Sequence, residues 1–310
     1  MKTFLSGSLA YDRIMDFPDS FKNHVLPDKI HMLNVSFLIN GLKENFGGTA
    51  GNIAFTLKLL GGDPLIVGTV GRDFKPYHEW LKKNKIGSDN IKIVKSELTA
   101  GAYIITDKAN NQITAFHPGA MSHSVGKLPK LGKDSLVTIS PGNVSDMVKI
   151  VKECKKKDIP YIFDPGQQIP AISTNNLRYL LNGSYIFIVN DYEYALVSKR
   201  LKANKSKIMK MADNIIVTKG EKGSETTTKE GRFSIKAVKS RKMVDPTGAG
   251  DAFRSGLIHG IINKHSLKKA VQLATLVATY PIEHYGTQEH KFTKKEISAR
   301  FKRNFKANIN

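Results

Sequence analysis

Short apolar runs alternate with helix-patterned stretches along most of this chain, and that alternation leaves few architectures open. The runs are Thr3–Leu5, Leu65–Val70, Leu136–Ile139, Tyr161–Phe163, Tyr185–Val189 and Ile215–Thr218. They are rich in Val, Ile, Phe and Tyr and mostly unbroken, the pattern of strands buried on both faces of a parallel sheet. Between them the spacing predicts helices over Thr49–Leu60, Lys75–Asn84, Ser145–Lys157, Asn175–Leu181 and Tyr192–Lys202. Strand, helix, strand in repetition predicts an α/β fold: a doubly wound, mostly parallel sheet flanked by helices. After Gly250 the pattern turns helical, over Asp251–Ile262, Ser266–Thr279 and Thr293–Phe305. No linker or low-complexity stretch interrupts it, so a single domain over residues 1–310 is expected.

Two places break the alternation. Ile30–Ile39 reads as a β-like stretch between the first strand and the first helix. Ala102–Thr106 and Gln112–Phe116 flank a turn at Asp107–Asn111, a hairpin signal, and a further hairpin is expected over Thr226–Val238. Extra strands early in an α/β chain predict a small β-sheet lid, drawn from about residues 12–45 and 98–120. Its natural place is over the carboxyl ends of the core strands, where open α/β sheets bind ligands.

Composition excludes several classes. No apolar run approaches the roughly 18 residues of a membrane helix. The start, Met1–Tyr11, is broken by Ser6, Gly7 and Ser8 and does not read as a signal peptide, so a cytoplasmic protein is expected. One cysteine, Cys154, forbids an internal disulfide and a cysteine metal cage. The unusual quantity is charge: 48 Lys+Arg against 27 Asp+Glu give +21. Such an excess suits nucleic acid, an acidic membrane, a phosphate-bearing substrate or simply a solvated surface. The lysines are scattered and form no single recognition stripe, which argues for surface charge and against nucleic acid or membrane as partners.

Chemistry is expected where glycines open a helix. Gly47-Gly48-Thr49-Ala50-Gly51-Asn52 precedes a helix that stops at Gly61-Gly62. Asp245-Pro246-Thr247-Gly248-Ala249-Gly250-Asp251 precedes another, in which Gly256 and Gly260 allow close packing. Free N–H groups and the helix dipole make such starts anion sites. Asp251 places a carboxylate beside that anion hole. This suits a group that takes a proton from a hydroxyl attacking a phosphate, and equally suits a helix cap. P-loop, dinucleotide and zinc-hydrolase spacings are missing.

These segments resemble the signatures of the ribokinase (PfkB-type) carbohydrate kinase family. Gly47–Asn52 is similar to its N-terminal signature and Asp245–Asp251 to its C-terminal one, usually D-T-x-G-A-G-D. Asn190-Asp191-Tyr192-Glu193 resembles its N-x-x-E motif, and Thr218-Lys219-Gly220 the strand end that holds ATP. Ser6–Asp12, His117–Met121, Asp164–Gln167 and Tyr285–His290 look like the adenosine and nucleoside kinase branch.

The resemblance implies an ATP-dependent kinase acting on the 5′-hydroxyl of a nucleoside, adenosine first, with a sugar such as ribose or fructose as the alternative substrate. It implies that Asp251 is the general base and that Gly248, Ala249 and Gly250 form the anion hole. It assigns Asp12, Gly47, Gly48 and Asn52 to the ribose hydroxyls. It puts Asn190, Glu193, Thr218, Gly220, Gly223 and Thr247 on the nucleotide. Mg²⁺ is expected at Glu193 through water, and a monovalent cation such as K⁺ at Asp245. Phe37 and Phe116, on the predicted lid strands, are the candidates for stacking on a base. A monomer or a lid-mediated homodimer is expected. Two departures stand out: Pro246 replaces the usual Thr, and Gln168 stands where many sugar kinases carry Arg, which argues against a sugar phosphate as substrate and leaves the role of Asp164 open.

Overall fold

Phe4 and Leu5 are both buried, yet they belong to different cores. Side chains alternate across a strand, so a strand buried on both faces divides the interior in two. This is β1 (Lys2–Ser6), and the computed structural model, which describes residues 1–109 and 111–309, builds its large sheet around it. The remaining strands are β2 (Ala10–Asp16), β3 (Gly41–Gly47), β4 (Pro64–Gly71), β5 (Ile91–Val94), β6 (Ala100–Thr106), β7 (Gln112–His117), β8 (Ser135–Ile139), β9 (Tyr161–Phe163), β10 (Ser184–Asn190), β11 (Ala212–Thr218), β12 (Ser224–Thr228) and β13 (Gly231–Ile235). The helices are α1 (Thr49–Leu59), α2 (Lys75–Lys83), α3 (Val144–Lys156), α4 (Thr174–Leu181), α5 (Asp191–Leu201), α6 (Lys205–Met209), α7 (Ala249–Ile262), α8 (Leu267–Val277), α9 (Thr279–Ile282) and α10 (Lys294–Phe305).

The nine-stranded sheet runs β13-β12-β11-β10-β9-β8-β1-β4-β5. It is parallel except for the hairpin of β12 and β13 at one edge. One face packs Leu5, Ile53, Leu57, Ile66, Leu257 and Val271, which brings α1, α7 and α8 together. The other packs Phe4, Val137, Met147, Leu177 and Val197 under α3, α4 and α5. Gly256 and Gly260 do what their spacing implied: a Cβ there would lie 2.7 Å from Ala274 Cα and 2.5 Å from Ala270 Cβ, so α7 and α8 touch backbone to backbone. The chain leaves β1 first to β4 on one side and later to β8 on the other. That reversal opens a crevice beyond the carboxyl end of β1.

A separate four-stranded sheet, ordered β3-β2-β6-β7, draws on the insertions. The hairpin of β6 and β7 lies where the sequence pattern put it, apart from the turn residue Asn110, which is outside the described residues. The expected strand at Ile30–Ile39 is a correction. The backbone makes 3-10 turns over Pro27–Met32 and is irregular from 33 to 40, and the strand follows at Gly41–Gly47. The cause is pairing: β3 is polar and half exposed, and its partner β2, not apolar content, fixes it. Among the described residues no helix is long and apolar enough to cross a membrane.

Candidate active site

Both glycine-rich segments stand at the start of a helix, and the two starts converge. Gly48 precedes α1 with φ +84° and Gly248 precedes α7 with φ +81°, a region where any other residue is strained. Asn52 of α1 and Asp251 of α7 meet there: Asn52 Nδ2 donates to Asp251 Oδ2 at 2.8 Å. α7 starts at Ala249 rather than at the expected Asp251, which sets the carboxylate inside the first turn. Burial raises Asp251 to about 6, against the Arg254 charge and the Asn52 N–H, which both hold it down. It is therefore mostly ionised at neutral pH. Among the described residues, no protein group accepts from the N–H of Gly248, Gly250 or Asp251. The anion hole expected of Gly248, Ala249 and Gly250 thus has donors to offer, Ala249 being held loosely to Pro246 O at 3.4 Å.

The small sheet faces these helix starts with one row of side chains. Asp12 of β2 lies opposite Asn45 of β3 and beside Ala102 of β6, which lies opposite Phe116 of β7. Directly opposed residues share a face. The Asp12 carboxylate occupies the space above Gly47, where a Cβ would fall 2.2 Å from its Oδ2. Burial first, then the charges of Asp251 and Asp245, push Asp12 up to about 7. Phe116 is half exposed on this same face. Phe37 is not on a strand, contrary to expectation; its ring packs against Phe17, Phe21 and His24.

Asp245 is held by its own loop and by the segment after α9. Its Oδ1 accepts from Thr247 N at 2.9 Å and its Oδ2 from Gly286 N at 3.2 Å. Farther along the sheet, Asn190 ends β10 and Thr218 ends β11 in register. Asn190 and Glu193 form a capping box on α5: Asn190 Oδ1 accepts from Glu193 N at 2.8 Å, and Glu193 Oε2 accepts from Asn190 N at 2.9 Å. Burial raises the Glu193 carboxyl above its usual range. After Thr218 the chain turns through Gly220 (φ +53°) to Gly223 (φ +89°), where a Cβ would lie 2.0 Å from Ile235 O.

Two groups escaped the sequence reading. The first is Arg254, one turn after Asp251. It grips Asp164 with two hydrogen bonds, Nη2 to Oδ1 at 2.5 Å and Nε to Oδ2, and its Nη1 donates to Gly250 O at 2.9 Å. The guanidinium that Gln168 does not supply therefore comes from α7, while Gln168 brackets the Gly142 peptide. A charged residue three places after an acid in an apolar helix was the available signal. The second group is Tyr77, Trp80 and Gln288. Gln288 contacts Asn52 at 3.0 Å, Tyr77 at 2.7 Å and Trp80 at 2.9 Å. Gln288 lay within a quoted segment, but nothing in its sequence neighbourhood shows which side chains it reaches.

The family model for pfkB family carbohydrate kinases matches residues 24–294. The nucleoside kinase of Methanocaldococcus jannaschii is 31% identical over 272 residues, 87% of this chain and 90% of that protein. The structure of Burkholderia thailandensis nucleoside kinase in complex with inosine superposes with a TM-score of 0.88 at 37% identity, over 99% of each chain. The same protein in complex with ADP-inosine superposes with a TM-score of 0.86 at 38% identity, over 99% of this chain and 97% of that one. The chain therefore belongs to the pfkB family of carbohydrate kinases, in its nucleoside kinase branch, and is a phosphotransferase acting on a hydroxyl group.

Proposed function

We propose that the enzyme transfers the terminal phosphoryl group of ATP to the 5′-hydroxyl of a purine nucleoside, adenosine first. The observation that carries this reading is Asp251: a partly buried, ionisable carboxylate at the mouth of a helix where, among the described residues, the N–H groups of Gly250 and Asp251 have no protein acceptor. Asp251 accepts the hydroxyl proton as the oxygen attacks phosphorus. The bond to the ADP oxygen breaks, and its electron pair stays with ADP. The N–H groups of Gly248, Ala249 and Gly250 hold the transferred oxygens. Asp12 accepts from the vicinal ribose hydroxyls, above the floor formed by Gly47 and Gly48. Asn52 adds its second N–H, the first being spent on Asp251.

Phe116 lies in the Asp12 row and offers a face to the base. Phe37, tied into its aromatic cluster, does not enter this reading. Asn190, Thr218, Gly220, Gly223 and Thr247 line the ATP side. Glu193 fits Mg²⁺: its Oε2 is committed to the cap and its Oε1 is left over, and Mg²⁺ keeps several of its waters. When bound, the ion neutralises phosphate charge. Asp245, fixed by two backbone N–H groups, fits a monovalent cation such as K⁺ beside the anion hole. A role in purine salvage, in the cytoplasm, belongs to the same proposal.

The test is a panel of adenosine, inosine, ribose and fructose with Mg·ATP, with and without K⁺. A purine nucleoside should give the highest kcat/KM. A preference for a free sugar overturns the reading.

A further inference from the structure

The side chains behind Asp251 have no orientational freedom left. An indole N–H can only donate, so Trp80 Nε1 at 2.9 Å makes Gln288 Oε1 the acceptor. The Gln288 amide is thereby fixed, and its two N–H bonds go to Tyr77 OH at 2.7 Å and Asn52 Oδ1 at 3.0 Å. Tyr77 spends its own proton on Gly47 O at 2.7 Å. With its oxygen occupied by a donor, Asn52 must present Nδ2 to Asp251 Oδ2, at 2.8 Å. Gln288 is 2% exposed and Tyr77 is 0% exposed, so water does not compete. The indole is itself clamped in stacks with Phe46 and Phe55.

We propose that Trp80, Gln288 and Asn52 form a directional hydrogen-bond relay that keeps an N–H on Asp251 Oδ2 and reserves Oδ1 for the substrate hydroxyl. The proposal rests on the kinase reading for its purpose, but not for its geometry. Trp80 and Gln288 are positioning residues: neither touches the reacting atoms. They set the direction of an amide that would otherwise be free to turn its oxygen toward the carboxylate. The Tyr77 branch ends on Gly47, the last residue of β3, so the same relay ties the base to the edge of the small sheet.

Trp80→Phe removes the donor and keeps the stack. Gln288→Met removes every hydrogen bond and keeps the volume. In either variant Asn52 can turn its oxygen to Asp251, and the carboxyl then gains by holding a proton. Among the described residues the other charged or titratable groups that act on Asp251 are Arg254 on its own helix, Asp164 after β9, Asp12 on β2 and the Tyr77 phenol on α2. Both variants leave all of these in place.

The experiment is a ¹³C NMR titration of the aspartate carboxyls in the unliganded protein, with Asp251→Asn as the assignment control. The expected result is an Asp251 midpoint shifted upward by about one pH unit in both variants, with the acid limb of kcat moving by the same amount. Thermal melts verify that each variant is folded, and if Gln288→Met does not fold, Trp80→Phe decides. An Asp251 midpoint unchanged in the folded variants overturns the relay. A wild-type enzyme that phosphorylates no nucleoside defeats the proposed substrate instead, and the unliganded titration still judges the relay.

Discussion

The two glycine-rich helix starts look alike in sequence and differ in what they leave open. Each has a positive-φ glycine before its first turn, and each has a polar residue in that turn aimed at the other. At α1, Ser8 satisfies the first two N–H groups: its Oγ accepts from Thr49 N at 3.1 Å and its C=O from Ala50 N at 3.0 Å. At α7 only Pro246 O takes part, accepting from Ala249 N at 3.4 Å, and among the described residues the N–H groups of Gly250 and Asp251 stay available. One start is thus largely plugged by its own chain, and the other is the one that the proposed reading gives to an anion. The carboxylate stands on the open one and the amide on the closed one. A nucleophile's proton acceptor belongs beside the phosphate, and its holder belongs where the protein is already complete.

The largest effect that sharpens this contrast is expected at Asp251. Asp251→Asn keeps the shape but cannot take a proton, and kcat should fall by about 10³-fold or more with KM changed little. Steady-state kinetics on the preferred nucleoside measures both, and near-wild-type turnover would defeat Asp251 as the base. In the wild type, activity should decline as pH falls through about 6, because protonating Asp251 removes the acceptor.

The glycines come next. Gly248→Ala forces a side chain at φ +81° against Thr287, 3.1 Å from its Cγ2, and disturbs the free donors. It should lower kcat by about 10²-fold. Gly48→Ala puts a Cβ 2.6 Å from Ala10 N and 2.7 Å from Ser8 O. There the strain displaces the start of β2, so KM and the melting temperature should suffer more than kcat. If both variants lose kcat alone, the distinction between an open and a plugged start fails.

The core strands and most helices were legible because each is fixed by its own pattern: apolar runs for β1, β8 or β10, and amphipathic spacing for α3 or α5. That Gly47–Asn52 and Asp245–Asp251 serve one site was implied by the resemblance of both to the family's signatures; the spacing alone left Asp251 open between a base and a helix cap. β2 and β3 were not legible, since polar strands are fixed by their partners, and Ile30–Ile39 attracted a strand assignment on apolar content alone. Arg254, Tyr77, Trp80 and Gln288 act through contacts between residues far apart in the chain, such as Gln288 with Asn52. No local pattern records such contacts. The charge of +21 was the most conspicuous sequence feature, yet the site is assembled from backbone N–H groups, acids and amides.

A smaller effect concerns the cost of the acidic row. Asp12 is held at about 7, well above its unfolded value of 3.8, so the folded state binds its proton more tightly than the unfolded state. That group's contribution to stability is therefore full at low pH and is lost as pH rises from about 4 through 7. Asp12→Asn removes the loss. The variant should melt about 3 °C higher than wild type at pH 8, with the advantage fading toward pH 4, while KM for the nucleoside rises about tenfold. A variant that melts lower at pH 8 would mean that a cation or a missing donor already compensates Asp12.

The smallest effect tests the plug itself. Ser8→Ala deletes the Oγ that accepts from Thr49 N and leaves the backbone bond to Ala50 intact. The loss is one helix-terminal acceptor, about 1 kcal/mol of stability by denaturant titration. Because α1 contributes no anion donor in this scheme, kcat should stay within about twofold of wild type. The opposite result, a large fall in kcat with unchanged stability, would mean that the α1 terminus also faces a ligand. The two glycine starts would then be equivalent after all.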